Sequence, residues 1–369
     1  TAVVLCPGME MHWATAWESI ADVVPDAPAV TNGSVTRSWR AYDDRAAQFA
    51  AALADAGLAP GAKVALYLYN GNEYLEAQYG AFKLRGVPIN VNYRYLDEEL
   101  WYLLDNADAE ALVFHTSLGD RVARIVDRLP RLELLVEVDD GGESLGDRAV
   151  RYEDTIAGHE PISRIERSGD DLYMLYTGGT TGMPKGVMYD MGGLAGGFIR
   201  GGPPLVGLEP AADAAGVAAL AKQAIDSGTQ MVSIPCAPLM HGTGMWIGGF
   251  IPQGVGAHVV TLTSRSLDAH EILATVEKHR ATAVTIVGDS FAKPIIEALD
   301  EGKPDGSEYD TSTLGLMASS GVMWTAEVKD QIIDRIPQVV LLDAMGSSEG
   351  SMGTSITMKG VPAKTAKFT

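Results

Sequence analysis

Short apolar runs and amphipathic stretches take turns along most of this chain. Val64–Tyr69, Pro88–Asn92, Ala111–His115 and Leu132–Val138 are brief, apolar and rich in β-prone residues. Between them, Glu73–Leu84, Asp97–Asn106 and Asp120–Leu129 repeat their apolar residues at helical spacing. A second set follows the same rule: strands at Gln230–Pro235, His258–Leu262, Ala283–Val287, Leu314–Ala318 and Val339–Leu342, with helices at Ala269–His279, Ala292–Asp300 and Ala326–Ile336. Strands alternating with helices of about 10–15 residues predict parallel βαβ units and a doubly wound sheet. Two successive sets predict an α/β chain of two similar subdomains, one near 66–200 and one from 15–65 plus 230–345. Ligands of such sheets sit beyond the carboxyl ends of the strands.

The remaining segments have their own signals. Trp13–Val24 reads as a helix stopped by Pro25. Ser38 is placed to cap a helix whose apolar face carries Tyr42, Ala46, Phe49, Ala50 and Leu53, with Gly57 as its stop. Asp139–Asp147 reads as a surface loop and Gly192–Pro204 as a mobile glycine-rich one. Pro210–Asp226 has the alanine content of a surface helix, inserted before the next strand.

Charge narrows the partners. The 369 residues carry a net charge of −20, against nucleic acid or an anionic membrane. Any phosphate site must be a local positive exception. The content of 46% hydrophobic and 21% charged residues is that of a globular protein. Two cysteines, Cys6 and Cys236, give no disulfide framework, read as small buried hydrophobes, and fit a cytoplasmic location. No apolar run approaches the length of a membrane span, and no signal peptide is evident. The first residue is Thr1, so residues upstream are expected to have been removed or left out.

The chemistry concentrates in one stretch. An apolar strand, Asp171–Tyr176, runs into Thr177-Gly178-Gly179-Thr180-Thr181-Gly182-Met183-Pro184-Lys185-Gly186. Glycines let backbone N–H groups turn inward on an anion, the threonines add hydroxyl donors, and Lys185 adds a charge. That set fits a polyphosphate, yet it lacks the Gly-Lys-Ser/Thr ending of a Walker A loop. Three further stations start at strand ends. Pro238-Leu239-Met240-His241-Gly242-Thr243-Gly244 holds a histidine among small residues, and Trp246 just beyond is either core or a pocket wall. Ala318-Ser319-Ser320-Gly321 is a small-residue turn, and Leu342–Glu349 ends in Met345-Gly346-Ser347-Ser348-Glu349. Asp289, in Val287-Gly288-Asp289-Ser290, is either a helix N-cap or a polar residue lining a pocket.

Taken together, these stretches resemble the adenylate-forming superfamily of acyl-CoA synthetases, luciferases and peptide-synthetase adenylation domains. The resemblance runs from about Trp17 to Met352 and includes Pro25–Val30 and Asn92–Tyr95. Within the superfamily, the Gly-Asp-Ser, Pro-x-Met-His-Gly and Gly-Ser-Ser-Glu pieces most resemble enzymes acting on long-chain or steroid side-chain carboxylates. This chain departs from the usual pattern at Gly178, commonly serine, and at Met345, commonly aromatic. The resemblance implies two doubly wound, mostly parallel sheets packed together as a large N-terminal adenylation domain over 1–369, with the start of a barrel subdomain near 350–369. It places the β,γ-phosphates of ATP at Thr177–Gly182 and Lys185, adenine at Ser320, Met345, Gly346 and Ser347, and a phosphate oxygen at Ser348. Mg²⁺ falls to Glu349 and the carboxylate to His241, with Trp246, Asp289 and Gly321 along the acyl group. His241, Lys185 and Glu349 are the candidate catalytic residues; CoA is the second substrate.

The implied activity is AMP-forming ligation of a bulky apolar carboxylic acid (fatty, steroid or terpenoid) to CoA. Two rivals stay open: an enzyme that stops at the acyl adenylate and hands it to a partner, and a nucleotide- and acyl-binding protein without turnover. Family members continue with a ribose-binding aspartate, a hinge and a small C-terminal domain carrying a catalytic lysine. None of these precedes Thr369, so the chain reads as a large-domain fragment, and a homodimer is left open.

Overall fold

In the computed structural model, the residues described are 11–178, 183–205, 207–347 and 350–361. Among these residues, fifteen strands form three sheets. In chain order they are β1 (Pro28–Asn32), β2 (Val35–Ser38), β3 (Lys63–Tyr67), β4 (Val87–Asn90), β5 (Ala109–His115), β6 (Leu134–Val138), β7 (Val150–Arg151), β8 (Leu172–Thr177), β9 (Lys185–Asp190), β10 (Val232–Pro235), β11 (His258–Thr261), β12 (Ala283–Ile286), β13 (Leu316–Ser319), β14 (Val340–Ser347) and β15 (Gly350–Thr357).

One sheet runs β4-β3-β5-β6-β7 and is parallel throughout. The other runs β15-β14-β13-β12-β10-β11-β1-β2, parallel except for the antiparallel edges β1–β2 and β14–β15. The expected α/β class with two mostly parallel sheets is therefore what forms. Every residue of β11 and of β12 is buried, so neither strand alternates apolar and polar positions as a half-exposed strand would. Residues 350–357, expected to start a barrel, extend the larger sheet as β15.

Helices fill the space between the sheets and cover their outer faces. Ser38 caps helix Trp39–Asp55 by accepting from the Ala41 N–H, and Gly57, at φ +87°, ends it as expected. This helix lies so close to helix Asn72–Lys83 that a Cβ on Gly80 would stand 2.7 Å from the Phe49 ring. Trp13, Trp17, Tyr42, Tyr79, Phe82 and Phe250 pack around the contact, with Trp17 edge-on to Tyr79 at 5.0 Å. A buried ion network ties the same helices: Lys83 Nζ lies 2.8 Å from Glu18 and 2.7 Å from Asp43, and Arg167 lies 2.8 Å from Glu18.

One expectation needed revision. Gly192–Pro204, read as mobile, lies within helix Met191–Leu205. Met191, Ala195 and Ile199 are buried at four-residue intervals, and that stripe overrides the weak helix preference of the glycines. Helix Ala214–Asp226 is the expected surface helix, and it packs one face inward: Val217 and Ala221 are fully buried, and Ser19 Oγ donates to the Ala214 carbonyl at 2.9 Å. The strand before the phosphate-type loop belongs to neither parallel sheet; β8 pairs antiparallel with β9 in a two-stranded ribbon.

Candidate active site

The hairpin β8–β9 presents the glycine- and threonine-rich loop at its tip. Thr177 and Lys185 face each other across the last pair of the ribbon, and Lys185 is exposed. A cation and a hydroxyl thus flank the mouth of the loop. Gly186 is needed for the ribbon itself, since a Cβ there would stand 2.8 Å from Met174 Sδ and 2.9 Å from the Tyr176 ring. Gly178 is exposed with open space around it. Gly179, Thr180, Thr181 and Gly182 lie outside the described residues, as do Ser348, Glu349 and Cys6.

Asn90, at the carboxyl end of β4, joins this hairpin to the histidine station. Its Nδ2 donates to the Tyr176 carbonyl at 2.8 Å and to the Met240 carbonyl at 2.7 Å, and its Oδ1 accepts from the Tyr176 N–H at 2.6 Å. Asn70, beyond the end of β3, does the same for the preceding residues: Oδ1 accepts from the Leu239 N–H at 2.8 Å and Nδ2 donates to the Ala237 carbonyl at 3.3 Å. Neither asparagine was singled out from the sequence. The available signal was a lone amide where an apolar strand ends, in Leu68-Tyr69-Asn70 and Ile89-Asn90.

His241 opens onto a cleft of about 550 Å³, walled by Tyr69, Tyr93, Arg94, His115 and Arg265 among others. The cleft lies beyond the carboxyl ends of strands from both large sheets, where doubly wound folds bind ligands. Desolvation, helped by the Arg94 guanidinium, lowers the His241 pKa below its usual value, so the imidazole is neutral at pH 7. A neutral ring offers one N–H donor and one acceptor. On the far wall, Arg265 stacks over the Tyr69 ring at 4.2 Å and pairs with Asp140. Burial alone would raise the Asp140 carboxyl; bonds from the Ser117 and Thr116 hydroxyls and the Ser117 N–H outweigh it and hold it at about 2. Burial pushes the Cys236 thiol up to about 12, consistent with an inert hydrophobe.

Trp246 stands half-buried against the hairpin, its Nε1 donating to the Tyr173 hydroxyl at 3.2 Å and its ring edge-on to Tyr189 at 5.5 Å. Gly321, at φ +93°, faces the histidine station: a Cβ there would lie 3.5 Å from Thr243 Oγ1. Ser320 sits beside it, half-exposed. Asp289 is not a helix N-cap, because helix Gly288–Glu301 begins at the residue before it. Its carboxylate accepts from the Thr325 N–H at 2.8 Å and from the Thr325 hydroxyl, fixing the loop that contains Gly321, while Val287 and Phe291 line the cleft nearby. The fourth station ends β14, where Met345, Gly346 and Ser347 run antiparallel to Ser351 and its neighbours. Among the described residues no cluster of three carboxylates, histidines or cysteines could hold a metal ion, and no helix is long and apolar enough to cross a membrane. The Thr177–Lys185 mouth sets a hydroxyl beside an exposed cation, a pairing that suits phosphate oxygens.

The family model described as AMP-binding enzyme matches residues 17–368. A medium-chain acyl-CoA ligase, Mig, of Mycobacterium avium is 36% identical over 350 residues, covering 90% of this chain and 61% of the relative. A 3-oxocholest-4-en-26-oate–CoA ligase of Rhodococcus rhodochrous is 34% identical over 362 residues, covering 95% and 63%. The chain thus spans under two thirds of these relatives' length. Among solved structures, the anthranilate CoA ligase AuaEII in complex with anthranoyl-AMP superimposes with a TM-score of 0.79 at 20% identity, over 96% of this chain and 63% of that one.

Proposed function

The chain belongs to the AMP-binding enzyme family, and from that premise we propose that it is the nucleotide- and acid-binding part of an AMP-forming acyl-CoA synthetase for apolar carboxylic acids. The observation that carries the proposal is Asn90, whose side chain holds the end of the phosphate-type hairpin and the Met240–His241 peptide in one frame. The relatives named for medium-chain acyl and 3-oxocholest-4-en-26-oate substrates support an extended apolar acid.

In this reading a carboxylate oxygen attacks the α-phosphorus of ATP, the bond to the bridging oxygen breaks, and pyrophosphate leaves. The sulfur of CoA then attacks the acyl carbonyl, AMP departs, and the thiol proton goes to solvent. The acid is already ionised near pH 7, so the first half needs alignment and charge neutralisation, not a general base. Thr177, Gly178, Gly179, Thr180, Thr181 and Gly182 cradle the β,γ-phosphates and Lys185 neutralises them. Neutral His241 donates its N–H to the substrate carboxylate. Ser320, Met345, Gly346 and Ser347 border the adenine, Ser348 meets a phosphate oxygen, and Glu349 would hold Mg²⁺, which supplies further charge neutralisation when bound. Gly321 and Trp246 border the acyl group.

The test is acid-dependent ATP–pyrophosphate exchange by the full-length protein. Lys185→Ala should lower exchange by roughly 10²–10³-fold, the cost of removing one preorganised donor to developing charge. Exchange that is unchanged in this variant refutes the phosphate assignment.

A further inference from the structure

The larger sheet forks at the carboxyl end of β13. Ser319 and Asp343 are the last residues of β13 and β14 to stand opposite each other. Beyond them the chain leaves the sheet at Ser320, while β14 runs on from Ala344 to Ser347 against β15. Ser320 and Gly321 thus lie on one side of the fork, and Met345, Gly346 and Ser347 on the other. The space beyond the carboxyl ends of parallel strands is where such sheets bind ligands.

A buried ion pair sits at the fork. Lys329 Nζ lies 2.9 Å from Asp343 Oδ2 and 5.4 Å from the centre of the Trp324 ring, and all three side chains are buried. Lys329 belongs to helix Ala326–Arg335, whose inner face otherwise carries Val328, Ile332 and Ile333. Stability alone does not call for a lysine there, since apolar side chains of similar volume often serve as well as a buried pair. A charge-assisted hydrogen bond adds direction: it fixes where the helix sits along β14, which an apolar contact leaves free to slide.

The start of the same helix is tied to a different strand. Thr325 donates its N–H to Asp289 at 2.8 Å and its hydroxyl at 3.0 Å, and Asp289 lies just past the end of β12. The Gly288 N–H donates to the Ser319 hydroxyl at 2.8 Å, and Gly288 sits at φ +50°, where a Cβ would collide with the Met323 carbonyl. The segment from Ser319 to Lys329 is therefore bonded to the end of β12 at one side and to β14 at the other.

We infer that this double tether sets the width of the fork, and with it the grip on adenine, with Lys329, Asp343 and Asp289 as positioning residues. The bond to Asp289 holds the Ser320–Gly321 turn. The Lys329–Asp343 bond sets the distance from that turn to the continuing end of β14. This inference rests on the function proposed above, which puts adenine between Ser320 and Met345–Ser347.

The experiment measures, on the full-length protein, equilibrium binding of ATP with Mg²⁺ and the KM values for ATP and for the acid in pyrophosphate exchange. Lys329→Met/Asp343→Val removes both charges and keeps the packing, so the urea midpoint should stay near that of wild type. ATP binding should weaken by roughly tenfold, the equivalent of one well-placed hydrogen bond, and the KM for ATP should rise in step. The KM for the acid should stay within about threefold. Because a change at two buried positions risks misfolding, Asp289→Ala is included; it releases the other end of the tether from a half-buried turn and should weaken ATP in the same selective way. ATP binding within twofold of wild type in both variants, or equal rises in the two KM values, overturns the tether alone. If no acid supports exchange, the catalytic reading fails and ATP binding still decides the tether. A wild-type protein that binds no ATP overturns both.

Discussion

Replacing Asn90 by alanine tests the join between the phosphate-type hairpin and the histidine station. The substitution removes three hydrogen bonds of 2.6–2.8 Å and leaves the Tyr176 N–H, the Tyr176 carbonyl and the Met240 carbonyl without this partner. At about 1 kcal/mol for each net bond, and more where water cannot replace it, the loss is about 3 kcal/mol. Among the described residues β8 and β9 pair with each other and with no third strand, and so the loss falls on the placement of Thr177 and Lys185 relative to His241. A displacement of about 1 Å at a reacting centre can cost 10²-fold in rate. The expected outcome is therefore a fall in acid-dependent pyrophosphate exchange near two orders of magnitude, with urea unfolding shifted by about 3 kcal/mol. Asn90→Asp is the control for shape: it keeps the acceptor for the Tyr176 N–H but turns both donors into a carboxylate oxygen facing carbonyls, and should be at least as impaired. Exchange within twofold of wild type in Asn90→Ala would refute the claim that this side chain frames the site.

Two other outcomes follow from the buried charges. Lys83→Met leaves Glu18 and Asp43 buried with one partner fewer and should cost about 3–5 kcal/mol in urea unfolding, where a surface lysine costs almost nothing. His115 is held down to about 4, first by burial and then by Arg265, against the pull of Asp140, and its Nδ1 accepts from the Tyr69 N–H. Its folded pKa lies below the unfolded value near 6.5, so the unfolded state takes the proton first. Stability should be unaffected by this group above pH 6.5, fall as pH drops from 6.5 to 4, and level off below. His115→Asn should flatten that part of the stability–pH curve, and a curve unchanged by the substitution would contradict the assignment.

How much was legible differs by element. Helices Asp97–Asn106 and Ala269–His279 were read to the residue because apolar spacing and local end signals agree; Asp268 caps the second by accepting from the Glu271 N–H. Helix Met191–Leu205 was missed because six glycines and two prolines masked a stripe of three buried residues that only tertiary packing makes decisive. The strand before the phosphate-type loop was legible as a strand, but its partner was not: antiparallel pairing with β9 leaves no mark in a six-residue apolar run. Asn70 and Asn90 stayed hidden for a related reason. Their value lies in carbonyls more than eighty residues away in sequence, and a single amide at a strand end has no pattern. Asp289 was noticed, yet its use on Thr325 depends on how two strand–helix turns meet.

The central claim, activation of an apolar acid as its adenylate and transfer to CoA, is tested most directly with the full-length protein and a panel of fatty and steroid acids. AMP and acyl-CoA are scored with and without CoA. The account requires AMP and thioester to appear together, in equal amounts and only when CoA is present. Adenylate that forms while CoA is ignored, or no AMP from any acid, would contradict it.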